Sequence, residues 1–232
     1  MFSYRGYGMR EADYFKRQIE LWGADTQESL RSKRVAIVGS GGLGSTLAMA
    51  LGTSGIGEID MVDFDRVSIH NIHRQIAFKL NDEGKSKSKV VADLITAKSP
   101  FVKARAFDMD FDTFVKEQNS YDLILDATDN LPVREQIDIY AKSTNTPWIY
   151  GSVEEFNGQV CFFKEAGFQV FNISDHKPGG ITAPIVMHIG SLQATMALRY
   201  LAGLPVDKDR LYYLYFNDNG ELITQKFGMP KV

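Results

Sequence analysis

Three glycines, Gly39, Gly41 and Gly44, are spaced as G-x-G-x-x-G between a short apolar run and a stretch rich in alanine, leucine and methionine. Glycines at this spacing let a strand turn tightly into a helix. They also let the backbone approach a phosphate group, which a helix N-terminus favours. Asp63 ends the next apolar run about 20 residues later, where a carboxylate can bind ribose hydroxyls. The pattern predicts a nucleotide site and suggests NAD, but by itself it does not distinguish NAD from ATP.

Polar residues further along the chain favour ATP. Asn71 and Arg74 are three residues apart, so on one helical turn their side chains point the same way. The run Gly84–Lys87 (GKSK) puts a lysine just after a glycine at the predicted start of a helix, a position suited to phosphate, and Asp129 follows a third predicted strand. A dehydrogenase has no need of these groups around a triphosphate. Nucleotidyl transfer does need them, because cations offset phosphate charge and a carboxylate holds magnesium.

Several neighbouring polar residues have plainer interpretations. Lys85 and Lys89 are predicted to be solvated residues at the start of a helix, or to face a partner protein. Asp126 is a second candidate magnesium ligand, although an acid at the end of a strand often caps the following helix. The four histidines show no ligand spacing and are interpreted as structural or surface residues: His70, His73, His176 and His188.

Hydrophobic periodicity predicts the elements that must position these groups. The order of short apolar runs and amphipathic segments predicts an α/β fold: a doubly wound, Rossmann-like, mostly parallel sheet with an antiparallel C-terminal extension. Helices are predicted over residues 9–31, 45–54, 85–97, 111–118, 132–143 and 185–201. Strands are predicted over 34–38, 58–63, 102–107, 121–126 and 147–152, followed by antiparallel hairpins of 158–163 with 168–171 and of 212–216 with 221–227.

The composition is that of an ordinary globular protein. The chain has 232 residues and a formal net charge of −3, which gives no support to a broad basic surface for nucleic acid. The chain contains no apolar run long enough for a transmembrane helix, and its first residues lack the apolar core of a signal peptide. The one cysteine, Cys161, lies in an apolar stretch and is interpreted as a core residue. We therefore expect a cytoplasmic protein with no membrane or nucleic-acid partner.

The motifs, taken together and in this order, resemble those of the ThiF, MoeB and HesA family, the bacterial relatives of ubiquitin-activating enzymes. Each motif is weak alone, but the combination is specific and spans most of the chain. The matching segments are Gly39–Gly44 (GSGGLG), Val62–Asp65 (VDFD), Asn71–Gln75 (NIHRQ), Gly84–Lys87 (GKSK), Leu125–Asn130 (LDATDN) and Gly190–Ala194 (GSLQA).

This resemblance implies a single adenylation domain over residues 1–232. Within it, residues 1–32 form an N-terminal helical segment, 33–155 a nucleotide-binding half and 156–232 an antiparallel, carrier-binding half. The implied activity is ATP-dependent adenylylation of the C-terminal glycine of a small ubiquitin-fold sulfur-carrier protein that ends in Gly-Gly, with release of pyrophosphate. An external sulfur donor would then attack the acyl adenylate.

The resemblance also assigns roles to residues. Phe15–Ile19 is similar to the family's Tyr-x-Arg-Gln-Ile segment, with Phe15 in place of the tyrosine. In that family the arginine of this segment reaches the ATP site of the other subunit. Arg17 is therefore implied to act in a homodimer, and it joins Arg74, Lys87 and Asp129 as the catalytic set. The implied contacts are Gly39, Gly41, Gly42 and Gly44 with the nucleotide, Asp63 with the ribose, Asn71, Arg74 and Lys87 with phosphates, Asn130 with the nucleotide, and Asp129 with magnesium.

Two departures from the family pattern limit what is implied. Many members carry two C-x-x-C pairs that bind zinc, whereas this chain has one cysteine, so no zinc is expected. Members that use a thiol place a cysteine before the late helix, but the Gly/Pro-containing loop at 175–182, the segment predicted to be most mobile, has none. Adenylylation, which needs no enzyme nucleophile, is unaffected by either departure.

Two other functions remain open at the level of sequence. One is an enzyme of the same fold that adenylylates a carboxylate on a modified tRNA base, of the threonylcarbamoyladenosine dehydratase type. The other is a non-catalytic subunit of an activating complex, although such subunits usually lose the lysine or the magnesium aspartate, and both are present here. Among carriers, the sequence does not separate thiamine from molybdopterin synthesis, and we favour thiamine.

Overall fold

The computed structural model describes residues 10–171 and 179–231. Its helices are α1 (Glu11–Tyr14), α2 (Lys16–Trp22), α3 (Ala24–Ser29), α4 (Gly42–Leu51), α5 (Ile69–Ile72), α6 (Lys87–Lys98), α7 (Phe111–Phe114), α8 (Leu131–Ser143) and α9 (Ala183–Leu201). Its strands are β1 (Arg34–Val38), β2 (Glu58–Val62), β3 (Lys103–Phe107), β4 (Leu123–Asp126), β5 (Trp148–Glu154), β6 (Asn157–Phe163), β7 (Arg210–Phe216) and β8 (Leu222–Gly228).

All eight strands form one sheet in the order β3-β2-β1-β4-β5-β6-β7-β8. Strands β1 to β5 pair in parallel, and β6, β7 and β8 are added antiparallel to them. The predicted mostly parallel α/β sheet with an antiparallel C-terminal extension is confirmed. The strand order reverses at β1, which pairs with β2 on one side and β4 on the other. In sheets of this kind a crevice for ligands opens at the carboxyl ends of the strands at that point.

Alternating side chains of the strands give each face of the sheet its own core. Val35 and Ile37 of β1 pack against α4, α6 and α9, whereas Ala36 and Val38 face α7 and α8. Burial on both faces explains why these strands read as continuous apolar runs rather than as an alternation. Among the described helices, none is long and apolar enough to cross a membrane.

The predicted helix over 9–31 is wrong as one element. Three short helices replace it, broken at Phe15 and at Gly23, whose φ of +87° favours glycine. The ring of Phe15 is buried and packs against Tyr14 and Phe101, so the backbone turns there to bring that ring inward. Helical periodicity predicts the repeated turns but not the interruptions that tertiary packing imposes.

The predicted hairpin of 158–163 with 168–171 is also wrong. Strand β6 instead pairs with β5 through a tight turn and, on its other side, with β7, while Phe168–Val170 is a 3₁₀ turn. The one aromatic ring of that turn, Phe168, packs over the sheet beside Trp148, which stacks on Phe163 with ring centroids 4.7 Å apart. Burying aromatic surface here stabilises the fold without a further strand.

The last predicted elements agree with the structure. Helix α9 covers the predicted span with two extra residues at its start, and β7 and β8 form the hairpin predicted around Asn217–Gly220. Tyr213 and Tyr215 stack on each other at 5.2 Å, as expected for side chains on one face of a strand. The first half of the loop at 175–182, including His176, lies outside the described residues.

Candidate nucleotide-binding site

The glycine loop lies between the carboxyl end of β1 and the start of α4. Gly39 has a φ of +96°, and a Cβ there would lie 2.6 Å from the carbonyl oxygen of Ala127. At Gly44 a Cβ would lie 2.0 Å from the carbonyl oxygen of Gly39. Both glycines are therefore required by the chain itself. Because none of the described side chains caps α4, its first N–H groups remain available to an anion.

Asp63 connects the end of β2 to this loop. Its Oδ2 accepts a hydrogen bond from the Ser40 amide at 2.6 Å, and its Oδ1 accepts one from the Asp65 amide at 2.8 Å. Burial raises the pKa of Asp63, and the two amide donors and the nearby Lys87 oppose that rise. The carboxylate therefore holds the loop in place, and its remaining lone pairs can accept ribose hydroxyls.

Lys87 is the first residue of α6, and its side chain is only 7% exposed. Its ammonium donates to Asp65 Oδ2 at 2.8 Å, and its amide donates to the Asp65 carbonyl at 3.1 Å. The hydroxyl of Ser88 donates to the Asp63 carbonyl at 3.0 Å. These bonds fasten the start of α6 to the end of β2, which places Lys87 beside Asp63. Lys85 is by contrast 57% exposed and pairs with Asp82.

Arg74 and Asn71 come together as their spacing predicts. The Nη2 of Arg74 donates to Asn71 Oδ1 at 3.0 Å, and its Nη1 lies 3.1 Å from His73 Nε2. The next residue, Gln75, is buried, and its amide lies 3.3 Å from the point where a Cβ of Gly41 would be. The segment that carries Arg74 therefore lies against the glycine loop.

Asp129 and Asn130 follow β4 at the same edge of the sheet. Asn130 caps α8, since its Oδ1 accepts from the Val133 amide at 3.2 Å. Asp129 is exposed, and within residues 10–171 and 179–231 its carboxylate has no hydrogen-bond or ion-pair partner. A carboxylate with free oxygens is the ligand type that magnesium prefers.

A buried ion pair behind this loop was missed by sequence reasoning. Asp126 is fully buried and accepts from Arg134 Nε at 3.0 Å and from the Thr128 amide and hydroxyl at 2.9 and 2.7 Å. Burial raises the pKa of Asp126, with the charge of Arg134 opposing the rise. Because all these donors occupy it, Asp126 is neither a helix cap nor a free ligand for a metal. A signal was present: Arg134 shares one helical face with Ile137 and Ala141, where an apolar residue is expected.

Arg17 lies far from these groups. Its side chain is 91% exposed and pairs with Glu20 on α2. The neighbouring Gln18 donates to the carbonyl of Ser54, just beyond the end of α4, and Tyr14 donates to the carbonyl of Lys98, the last residue of α6. Both helices begin at the glycine-loop edge of the sheet and run about 15 Å or more away from it. The structure therefore does not bring Arg17 to the site of its own chain.

Cys161 lies in the core of the antiparallel half. It is fully buried, and burial raises the pKa of its thiol, which leaves very little thiolate. Among the described residues there is no cluster of three or more histidine, cysteine, aspartate or glutamate side chains that could hold a metal ion.

Comparison with known families identifies the chain. The profile of the ThiF family matches residues 15–230. The chain belongs to the ThiF family. Several curated relatives of this ThiF family chain are named adenylyltransferases. A sulfur carrier protein adenylyltransferase of Thermus thermophilus is 30% identical over 84% of this chain and 79% of that protein. A molybdopterin-synthase adenylyltransferase of Escherichia coli K12 is 33% identical over 82% of each.

Other curated relatives are longer than this chain. An adenylyltransferase and sulfurtransferase, MOCS3 of Caenorhabditis briggsae, is 31% identical over 86% of this chain, which spans about half (54%) of that protein's length. Among solved structures, PaaA superposes with a TM-score of 0.81 at 24% identity, over all of this chain and 77% of its own. Escherichia coli MccB, solved with ATP, gives a TM-score of 0.79 at 20% identity over 95% of this chain and 73% of its own. These structures share the fold.

Proposed function

We propose that this ThiF family chain uses ATP to adenylylate the C-terminal glycine of a small ubiquitin-fold sulfur-carrier protein and releases pyrophosphate. The observation that carries the proposal is the convergence of Asp63, Arg74, Lys87 and Asp129 around one glycine loop. All four lie near the carboxyl ends of the strands, where the sheet order reverses. The names of its relatives from Thermus and Escherichia coli support the choice of a sulfur carrier as substrate.

The proposed reaction depends on positioning and charge. The carrier's terminal carboxylate attacks the α-phosphorus of ATP in line, a new bond forms to that phosphorus, and the bond to the bridging oxygen breaks as pyrophosphate leaves. The N–H groups at the start of α4 donate hydrogen bonds to phosphate oxygens, and the Asp63 carboxylate accepts hydrogen bonds from the ribose hydroxyls. Arg74 and Lys87 offset the negative charge that moves onto the leaving group. Fixed charges of this kind supply much of the acceleration of phosphoryl chemistry.

Asp129 is the residue proposed to hold magnesium. Its exposed carboxylate has free oxygens and lies beyond β4 at the loop edge of the sheet. Asn130, whose Oδ1 caps α8, still has its amide group to offer to the nucleotide. When bound with ATP, magnesium neutralises phosphate charge and orients the phosphates. Asp126 is not part of this metal site, since donors from Arg134 and Thr128 already occupy its oxygens.

Arg17 is proposed to complete the site from a second copy of the chain. Its own site lies at the opposite edge of the sheet, so a contribution from Arg17 requires a homodimer. The exposed Leu21 on the same short helix gives that face an apolar contact for such a partner.

In the antiparallel half, Phe216 and Leu222 are opposite each other on β7 and β8, and both are about half exposed. We propose that this half receives the carrier.

ATP–pyrophosphate exchange tests the proposal. Purified chain, MgATP, labelled pyrophosphate and a carrier ending in Gly-Gly should return label into ATP, and the same carrier lacking its last glycine should not. Carriers of the thiamine and of the molybdopterin type should be assayed side by side, because they separate the two pathways. Exchange that appears only when tRNA is added would contradict the proposed substrate. Failure of every candidate carrier to support exchange would contradict it as well.

A further inference from the structure

The buried pair of Asp126 and Arg134, called the clamp below, lies behind residues 127–131, the Asp129 loop. The proposed chemistry does not use the clamp directly. All three polar atoms of Thr128 bind to it. The amide and hydroxyl of Thr128 donate to Asp126 Oδ1 at 2.9 and 2.7 Å, and its carbonyl accepts from Arg134 Nη2 at 2.6 Å. The residue immediately before Asp129 is therefore held by its main chain and its side chain at once.

The clamp is itself rigidly held. Asp126 and Arg134 have side chains that are 0% and 6% exposed. Arg134 Nη2 also donates to the Gly151 carbonyl at 3.1 Å, and its guanidinium carbon lies 5.0 Å from the centre of the Tyr150 ring. A planar guanidinium can reach a carboxylate and two carbonyls in a fixed geometry, whereas the single ammonium of a lysine cannot.

A second contact comes from the opposite face of the sheet. Gln193 of α9 donates from Nε2 to the carbonyl of Asp126 at 2.7 Å. This glutamine fills the space above Gly151, where a Cβ would lie 2.4 Å from its amide. Asp126, the last residue of β4, is thus held by Arg134 through its side chain on one face of the sheet and by Gln193 through its main chain on the other. These two contacts fix the direction in which the chain continues after β4.

We propose that Arg134 is a positioning residue that, through Thr128, sets the place of the Asp129 carboxylate at the magnesium site. On the other side of Asp129, Asn130 caps α8, so the exposed aspartate stands between two fixed residues. Its main chain is determined before any ligand arrives. This inference rests on the proposed function for the role of Asp129, but not for the geometry of the loop.

The test compares Arg134→Lys with Arg105→Lys. Arg105 is a suitable control because it also pairs with a buried aspartate of the same sheet, donating to Asp60 from Nε and Nη2 at 2.8 and 2.7 Å. That pair lies on β2 and β3 and does not contact the Asp129 loop. Thr128→Val is a milder variant that removes one bond of the clamp and leaves the buried charges in place. It keeps the proposal testable if Arg134→Lys does not fold.

Two measurements do not depend on catalysis. In hydrogen–deuterium exchange of the free protein, amides of 127–131 should exchange at least about tenfold faster in Arg134→Lys and stay within twofold of wild type in Arg105→Lys. Binding of Mn²⁺ in the presence of ATP, followed by the electron paramagnetic resonance of the free ion, should weaken about 10- to 100-fold, the usual effect of losing a group that orients a metal ligand. Thr128→Val should weaken Mn²⁺ binding several-fold.

The catalytic measurement is the magnesium concentration that gives half-maximal ATP–pyrophosphate exchange. It should rise about tenfold or more in Arg134→Lys and less than twofold in Arg105→Lys. Unchanged loop exchange and unchanged Mn²⁺ binding in folded Arg134→Lys and Thr128→Val would overturn the positioning role. If wild type shows no exchange with any carrier but Mn²⁺ binding still depends on Arg134, the proposed substrate fails and the positioning role stands.

Discussion

Replacing Lys87 by methionine removes the one buried cation at the start of α6 while keeping most of its aliphatic stem. The ammonium has a hydrogen-bond partner in Asp65, whose side chain is 53% exposed. After the substitution, water can solvate the half-exposed Asp65, and the buried Asp63 keeps its hydrogen bonds from the Ser40 and Asp65 amides. Removing the buried ammonium also removes the cost of desolvating it, so we expect the free energy of unfolding to change by no more than about 1 kcal/mol.

The effect on catalysis should be much larger than the effect on stability. Loss of one fixed charge contact to a transition state typically lowers the rate about 10²- to 10³-fold. At about 1.4 kcal/mol for each factor of ten, this corresponds to roughly 3–4 kcal/mol of lost stabilisation. Lys87→Met should therefore remain folded and be almost inactive, a combination that a purely structural lysine would not give.

The assay is carrier-dependent ATP–pyrophosphate exchange, with thermal unfolding measured on the same preparations. Lys85→Met is the matched control, since Lys85 is two residues away and exposed, and it pairs with Asp82. It should retain exchange within twofold of wild type. Exchange by Lys87→Met within twofold of wild type, or an equal loss in both variants, would refute the assignment of Lys87 to the phosphates.

Three further predictions follow from the site and the core. Asp129→Asn should lower exchange about 10²- to 10³-fold without changing thermal stability, and an unchanged rate would remove Asp129 from the metal site. Arg17→Ala should be inactive alone but should regain part of its activity when mixed with Lys87→Met, because a mixed dimer would hold one intact site. No recovery of activity after proven subunit exchange would contradict action across subunits. Since burial raises the pKa of Cys161, its thiol should resist alkylation at pH 8 until the protein unfolds, and Cys161→Ala should keep exchange activity with a stability loss of about 1 kcal/mol. A covalent carrier adduct found on wild type and absent from that variant would contradict this assignment.

The fold around the glycine loop was predictable because local signals and the fold agree there. The loop glycines, the apolar run of β1 and the acid at the end of β2 each point to the same strand–turn–helix–strand unit. Asn71 and Arg74 could be paired from their spacing alone, and the structure joins them at 3.0 Å. Spacing along one helical turn depends only on the backbone, so no tertiary information was needed.

The features that were missed depend on contacts between distant segments. Asp126 could be interpreted as a cap or as a metal ligand until Arg134 of α8 was placed against it. Residues 168–170 have the composition of a strand, but the ring of Phe168 is buried over β5, which favours a 3₁₀ turn. Gln193 of α9 donates a hydrogen bond to the carbonyl of Asp126, which is 67 residues earlier in the sequence. Side-chain burial between distant elements decides such cases, and periodicity does not report it.

The stack of Trp148 on Phe163 gives the protein its own optical probe. The chain has two tryptophans, and Trp148 is buried at the start of β5, with its indole N–H donating to Asp138 at 3.1 Å, whereas Trp22 is only partly buried on α2. Trp148 joins the last parallel strand to the first antiparallel one. Its fluorescence should therefore report whether the two halves of the sheet remain together, and Trp22→Phe would isolate that emission for unfolding and stopped-flow measurements.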